Sequence, residues 1–172
     1  MAFTPTYFSE DGSYDFIPKG QISGDYTEDK IKKIMQTQKS RIQQGKKSRL
    51  LLILDDCLGS VNFKSDTLKE LISNRRHYKI SIVIGVQYIK ALPPMMRIQT
   101  DYLMLYKLSS KESMRMIGYM WLHDRPDYED FINKNTSPKY YALFVDTYAE
   151  PENKYQKVKF APVKPFRITM KK

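Results

Sequence analysis

The sequence predicts an α/β fold with a mostly parallel sheet flanked by helices. Two largely apolar runs, Leu50–Leu54 and Ile80–Val86, are short and lack the alternation of a half-exposed strand. They therefore indicate strands that are covered on both faces, as in the middle of a parallel sheet. Segments with helical periodicity lie between the strands, which is the order typical of strand–helix–strand units.

The first helix illustrates how the elements are read from the sequence. Asp25 and Glu28 have the spacing of a capping box, which opens a helix over about residues 26–44, and Gly45 ends it. The other predicted elements, in chain order, are a short strand over 3–8, a helix over 65–76 capped by Ser65, a strand over 101–108, a helix from the Ser109–Glu112 capping box to Trp121, a short helix over 126–133 and a strand over 140–145.

Composition excludes several classes of protein. The chain has 172 residues, of which 41% are hydrophobic and 28% charged, as in an ordinary globular domain. A single cysteine and two histidines exclude an internal disulfide and argue against a Cys/His zinc site. No apolar run approaches the roughly 20 residues of a membrane-spanning helix. The N-terminus also lacks the basic and apolar regions of a secretion signal, so we expect a protein that is not secreted.

The charge is strongly basic and unevenly distributed. The net charge is +10, and residues 151–172 contain seven basic residues and one acidic residue. A polyanionic partner, most simply nucleic acid, is one interpretation, and a solubilising basic tail is the other. We therefore divide the chain into a core over 1–150 and a basic C-terminal segment over 151–172. The residues of that segment that are candidates for binding nucleic acid are Lys154, Lys157, Lys159, Lys164 and Arg167.

Two carboxylates, Asp55 and Asp56, follow the apolar run Leu50–Leu54 directly. Ligands of open α/β sheets bind at the carboxyl ends of the strands. In a phosphoryl-transfer site the first acid can hold Mg²⁺, directly or through water, and its neighbour can polarise the attacking water. This is the Walker B pattern. The alternative is a solvated strand end, because aspartate also favours turns.

Three further polar residues are candidates for the same chemistry. Gln87 ends the second apolar run at the same edge of a parallel sheet, where a neutral amide can bind a γ-phosphate or the attacking water. It can equally begin a loop. Arg75 and Arg76 follow the helix over 65–76, where they gain from its dipole. Alternatively, one of them reaches the phosphate of a neighbouring subunit as an arginine finger.

Taken in order, these motifs resemble the DNA-packaging ATPases of poxviruses and other large double-stranded DNA viruses, in the FtsK/HerA superfamily of P-loop motors. The resemblance covers about residues 50–108, with looser similarity over 3–7 and 26–44. The motifs that carry it are Leu50–Asp56, Asn74–Tyr78, Ile80–Gln87, Leu92–Pro94, and Arg97 followed by Asp101 and Tyr102.

The resemblance implies a P-loop NTPase core that binds ATP and Mg²⁺. Asp55 would be the acid of the Mg²⁺ site, acting through water, Asp56 the catalytic acid, and Gln87 the sensor of the γ-phosphate. Arg76 or Arg75 would be the finger. The family pattern here is close to Asn-Gly-Arg-His, and Arg75 stands where the family often has glycine, so the choice between the two stays open.

The function implied by the resemblance is ATP hydrolysis coupled to movement of double-stranded DNA. The motor would be a homo-oligomeric ring in the viral factory of the host cytoplasm or in the virion. One alternative is a non-catalytic DNA-binding or ring-assembly paralogue that has lost nucleotide binding. Another is a simple nucleic-acid adaptor that binds through its basic C-terminal segment.

The Walker A loop of the family, G-x-x-x-x-G-K-[ST], is absent from this sequence. The nearest string, residues 40–48, lacks the first glycine and joins a helix to a strand, whereas a P-loop leaves a strand and opens a helix. In the superfamily the P-loop strand lies between the strand that ends in Gln87 and the strand over 101–108. We therefore expect a core without its first strand and P-loop, through truncation, degeneration or supply by a separate segment.

Overall fold

The computed structural model describes residues 1–8, 14–57 and 59–160, which form two compact units, one up to Pro93 and the other from Pro94 onward. The elements of the first unit are β1 (Ala2–Phe3), β2 (Ile22–Ser23), α1 (Glu28–Gln43), β3 (Leu50–Asp55), α2 (Asp66–Asn74) and β4 (Ile80–Gly85). Those of the second are α3 (Pro94–Ile98), β5 (Tyr102–Leu105), α4 (Lys111–Trp121), α5 (Tyr128–Thr136), β6 (Tyr141–Asp146) and β7 (Tyr155–Lys159).

The first unit contains a four-stranded sheet in the order β2-β1-β3-β4, in which every pairing is parallel. β3 and β4 are aligned over their whole length, from the pair Leu50 and Ile80 to the pair Asp55 and Gly85. The predicted α/β fold with a parallel sheet and flanking helices is thereby confirmed. The alignment also fixes which residues reach the carboxyl edge of the sheet together.

The two faces of this sheet are covered unequally. Leu52 and Leu54 are fully buried on one face, whereas Leu51 is 47% exposed and Val83 is 52% exposed on the other. The expectation that both faces of these strands are covered is therefore wrong within the described residues. Parallel sheets normally have helices on both faces, so the exposed side is unusual for this class of sheet.

The second unit has a separate three-stranded sheet in the order β5-β6-β7, and both pairings are antiparallel. The strand predicted over 101–108 is shorter than expected, and its partner in this sheet is β6. Leu105, Leu143 and Val145 are buried in this unit. β7 comes from the segment that composition set apart as basic, and an edge-on contact between Tyr155 and Phe131 joins it to α5.

The N-cap residues of the helices agree with those predicted from the sequence, with one exception. Ser65 and Ser110 accept hydrogen bonds from the backbone N–H groups three residues ahead, as N-caps do. In α1, however, Thr27 is the cap, because its extended backbone lets the hydroxyl accept from Lys30 N at 3.3 Å. The prediction that Asp25 opens this helix is therefore wrong by two residues.

Two smaller boundaries also differ from the predictions. The strand predicted over 3–8 consists of Ala2–Phe3 alone, since a 3₁₀ turn over Pro5–Phe8 follows it. α5 begins at Tyr128, two residues beyond Pro126. None of the helices in the described part of the chain has the length and apolar composition needed to cross a bilayer.

Candidate functional site

Three of the polar residues singled out in the sequence stand at the carboxyl edge of the parallel sheet. Asp55 is the last residue of β3 and pairs with Gly85, the last residue of β4. Asp56 follows at once and is exposed, and Gln87 lies two residues beyond Gly85 and is also exposed. The parallel register therefore brings these side chains to one edge, which is where ligands of open α/β sheets bind.

The carboxylate of Asp55 is held by a hydrogen bond from outside the sheet. The Tyr14 hydroxyl donates to Asp55 Oδ2 at 2.5 Å, across 41 residues of sequence. The Thr4 hydroxyl, which is fully buried just after β1, donates in turn to the Tyr14 hydroxyl at 3.1 Å. A hydrogen bond to a charged acceptor is stronger than one between neutral groups. This chain of hydroxyls therefore fixes one oxygen of Asp55 and restricts its rotation.

Gly85 provides the space that the other oxygen of Asp55 occupies. A Cβ built on Gly85 would lie only 2.1 Å from Asp55 Oδ1 and 3.3 Å from its Cγ. Any side chain at this position would collide with the carboxylate. A glycine inside a strand often marks such a close approach, and here it lets the carboxylate lie against the backbone at the end of β4.

Asp56 is placed by the chain reversal at the end of β3. Its φ of 52° lies in the left-handed region, which aspartate tolerates better than most residues. The next residue, Cys57, is buried, with its Sγ 3.2 Å from Phe3 O and 3.1 Å from Asp55 O. Asp56 is thus an exposed carboxylate between two anchored residues. Burial raises the pKa of the Cys57 thiol, which makes it a poor nucleophile.

The two arginines do not join this group within one chain. Arg75 and Arg76 precede Ile80, which pairs with Leu50 at the amino edge of the sheet. The six-residue strands separate the two edges by roughly 17 Å. Arg75 is half-buried and its Nη1 donates to Ile72 O at 3.0 Å, whereas Arg76 is exposed.

Residues 40–48 form the last turn of α1 and the turn that follows it. Gly45 has a φ of 71°, and the N–H groups of Gly45 and Lys46 donate to Ile42 O and Arg41 O. This pair of bonds is the Schellman arrangement that ends many helices. A phosphate cradle needs free backbone N–H groups, and those of Gly45 and Lys46 are already used within the helix end.

The described basic residues of the C-terminal segment have partners in the second unit. Lys154 Nζ lies 3.2 Å from Asp124 Oδ1, and Lys157 and Lys159 lie over the ring of Tyr141. Lys164 and Arg167 lie outside the described residues.

Sequence reasoning missed Tyr14, Thr4 and Gly85. Tyr14 lies in a stretch that reads as a loop, and nothing in its neighbourhood points to a residue so far along the chain. Of the other two, Gly85 carries a signal that can be read from the sequence. It interrupts a largely apolar strand near its end, whereas Thr4 stands inside the strand that the sequence predicts over 3–8 and is placed after a strand only in the structure.

We expect Tyr14→Phe to lower the free energy of unfolding by about 1–3 kcal/mol, because a half-buried carboxylate loses a charge-assisted hydrogen bond. Urea unfolding monitored by circular dichroism measures the change. Tyr119→Phe is the matched control, because the Tyr119 side chain is 84% exposed. In a double-mutant cycle, the destabilisation caused by Tyr14→Phe should shrink when Asp55 is already alanine, which has no acceptor for the Tyr14 hydroxyl. An equal cost in both backgrounds would contradict the bond described here.

We expect Gly85→Ala to destabilise the protein by about 1–3 kcal/mol, because the new methyl group displaces the carboxylate of Asp55. Gly20→Ala is the control, since a Cβ at Gly20 meets nothing within 4 Å. The same unfolding measurement applies to both variants. The double variant Gly85→Ala/Tyr14→Phe should lose less free energy of unfolding than the sum of the two single losses, because both substitutions disturb the side chain of Asp55. Full additivity would show that Gly85 and Asp55 do not constrain each other.

Comparison with known proteins identifies relatives in several viruses. The family model described as "Poxvirus A32 protein" matches residues 20–146. The chain is 26% identical over 145 residues to uncharacterized protein 075L of Invertebrate iridescent virus 6, covering 82% of this chain and 56% of that protein. It is 35% identical over 78 residues to uncharacterized protein L437 of Acanthamoeba polyphaga mimivirus, covering 43% of this chain and 28% of that protein. It thus spans about half or less of these relatives.

Solved structures with the same fold include those of a packaging NTPase from another virus. The genome packaging NTPase B204 of Sulfolobus turreted icosahedral virus 2, in complex with AMPPCP, matches with a TM-score of 0.62 and 18% identity, over 83% of this chain and 67% of that one. Its complex with AMP matches with a TM-score of 0.65 and 16% identity, over 92% and 81%. At this identity the likeness shows the fold. Because the family model covers most of the chain, the resemblance drawn from the motifs is confirmed, and this chain belongs to the Poxvirus A32 protein family.

Proposed function

We propose that this chain is the ATPase-core part of a viral genome-packaging motor, in which ATP hydrolysis drives the movement of double-stranded DNA. One observation carries the proposal: Asp55, Asp56 and Gln87 stand together at the carboxyl edge of a parallel sheet, in a chain of the Poxvirus A32 protein family. The similar fold of B204, whose structures include complexes with AMPPCP and ATP-gammaS, supports a nucleotide as the ligand.

The donor set at this edge fits a magnesium nucleotide. Magnesium in phosphoryl-transfer sites is held by one or two carboxylates, with waters and phosphate oxygens completing its shell. Asp55 and Asp56 provide two carboxylates, and no cluster of three or more metal-binding side chains occurs among the described residues. We infer that Asp55 holds the ion through water, since Tyr14 already binds its Oδ2. When bound, the ion supplies neutralisation of the phosphate charge.

Asp56 and Gln87 have the exposure and the chemistry for the attacking water. Asp56 is an exposed carboxylate that can accept a hydrogen bond from water and orient it towards a γ-phosphate. Gln87 stays neutral and can donate to a phosphate oxygen or accept from the water, as a sensor residue does. Both act by orienting the reactants, so they contribute to turnover more than to affinity.

The arginine finger would act between subunits. Arg75 and Arg76 stand at the opposite edge of the sheet from Asp55, so within one chain neither shares its site. An arginine that serves a neighbour's nucleotide requires an oligomer, and a closed ring repeats the arrangement for every subunit. Arg76 is the better candidate, because its side chain is exposed whereas that of Arg75 is half-buried. We place this assembly in the viral factory of the host cytoplasm or in the virion.

The phosphate-binding loop would come from a segment other than the residues described here. β4 is the last strand of its sheet, and its outer edge has no partner among the described residues. The face that carries Leu51 and Val83 is open, although parallel sheets are normally covered on both sides. A strand paired with β4, followed by a helix on that face, would complete the sheet and position a P-loop at the carboxyl edge. The greater length of the relatives leaves room for such a segment.

We expect Asp56→Asn to lower kcat for ATP hydrolysis by two or more orders of magnitude, with little change in KM, because the variant loses orientation of the attacking water. The measurement is steady-state hydrolysis by the protein that carries this chain together with its phosphate-binding loop. Glu152→Gln is the matched control, since it makes the same acid-to-amide change at an exposed residue of a turn.

Three results of this experiment separate the possibilities. A large fall in kcat for Asp56→Asn, with normal turnover for Glu152→Gln, supports the proposed roles. Equal turnover of both variants would show that Asp56 does not orient the attacking water. Absence of hydrolysis in the unsubstituted protein, with DNA binding retained, would instead indicate the non-catalytic paralogue.

A further inference from the structure

The acid-free stretch with the largest number of basic residues covers α1 and the turn that follows it. Residues 30–54 contain eight basic residues and no Asp or Glu. Among the described residues, Lys33, Arg41 and Lys46 have no carboxylate within ion-pair distance, and all three are exposed. This charge is therefore available to a ligand, unlike that of Lys154, which pairs with Asp124.

The helix presents these residues on one side. Ile31, Met35 and Gln38 are buried and mark the inner face of α1. The opposite face forms a shallow groove, which we call the α1 groove. Its lining residues are Lys33, Gln36, Thr37, Ser40, Arg41, Gln44 and Lys46.

The helix end folds a further cation back onto the groove. The positive φ of Gly45 reverses the chain, and Lys46 N donates to Arg41 O at 3.0 Å. Lys46 therefore stands beside the last turn instead of continuing away from it. In the same turn, Gln44 Nε2 donates to Ser40 Oγ at 3.2 Å. The groove thus has cations at both ends and small polar side chains between them.

We propose that the α1 groove binds the phosphate backbone of double-stranded DNA. Lysine, arginine, serine, threonine and glutamine are the side chains that contact DNA phosphates. From Lys33 to Gln44 the helix is about 16 Å long, and one strand of B-DNA passes roughly five nucleotides over that distance. Contacts of this kind carry no sequence information, which suits a motor that moves along any sequence. The inference deepens the proposed function and rests on it for the role of the DNA.

The residues that line the α1 groove favour duplex DNA over single-stranded nucleic acid, a protein partner or a membrane surface. It contains no aromatic side chain, whereas sites for single-stranded nucleic acid rely on stacking of the bases. It contains no apolar side chain, whereas the cores of protein interfaces are rich in aromatic residues and methionine and poor in lysine. The apolar side of α1 is buried, so the helix has no free face to insert into a membrane surface.

The test compares two triple variants with the same loss of charge. K33Q/R41Q/K46Q neutralises the α1 groove, and K64Q/K111Q/R115Q neutralises three exposed cations elsewhere. Fluorescence anisotropy with a labelled 20-base-pair duplex measures affinity at several salt concentrations, without nucleotide. We expect the groove variant to bind roughly tenfold or more weakly, and the slope of log K against log salt to fall by about 0.9 for each phosphate that the variant no longer neutralises. The control should bind almost normally, and both variants should keep their helical circular dichroism.

The possible results decide the proposal. Equal loss of affinity in the two variants would show that only net charge matters, and it would overturn the groove. Unchanged affinity in the groove variant would overturn it as well. If the protein binds a single strand of the same sequence more tightly than the duplex, the ligand of the groove is single-stranded nucleic acid and the proposal of duplex DNA is wrong. Because no ATP is present, failure here is distinct from failure of the proposed hydrolysis.

Discussion

The parallel register between β3 and β4 is the constraint on which the candidate site depends. Because Asp55 is level with Gly85, both strands end at the same height, and the residues that follow them share one edge of the sheet. A shift of one residue would turn Asp55 to the other face and move its carboxylate away from the space above Gly85. The burial of Leu52 and Leu54 opposes such a shift, since it would expose both side chains. The hydrophobic core therefore sets the geometry of the polar edge.

The edge is supported by hydrogen bonds that reach beyond the sheet. Tyr14, itself held by Thr4, binds Asp55 from the N-terminal part of the chain, and Cys57 ties the turn after Asp56 to the carbonyl of Phe3. Asp55 is thus restricted before any ligand arrives. In the proposed site, a carboxylate held in place in this way loses little entropy when the nucleotide binds. Gln87 and Asp56 are exposed, as their proposed contacts with a ligand require.

Much of the fold and part of the site can be predicted from the sequence. The apolar runs and the caps Ser65 and Ser110 predict β3, β4, α2 and α4, because local pattern and tertiary structure agree there. Asp55, Asp56 and Gln87 can be chosen as candidates because each stands at or just beyond the end of an apolar run. Long-range contacts could not be predicted in the same way, since Tyr14 acts across 41 residues, a pairing that no local pattern encodes. The exposure of Leu51 and Val83 also escaped prediction, because an apolar strand gives no sign of which face lacks a cover. The Thr27 cap differs from the predicted Asp25 because two polar residues near a helix start compete, and backbone geometry decides between them.

The central claim is that the carboxyl edge of the first sheet is one half of a nucleotide site, completed by a phosphate-binding loop from another segment. Calorimetric titration of ATP with Mg²⁺ into the 172-residue chain tests it most directly, alongside the same titration into the protein that also carries the loop. We predict no binding by the chain alone. We predict binding when the loop is present, weakened by Asp55→Ala. Binding by the chain alone that Asp55→Ala abolishes would contradict the claim, because the site would then be complete within these residues.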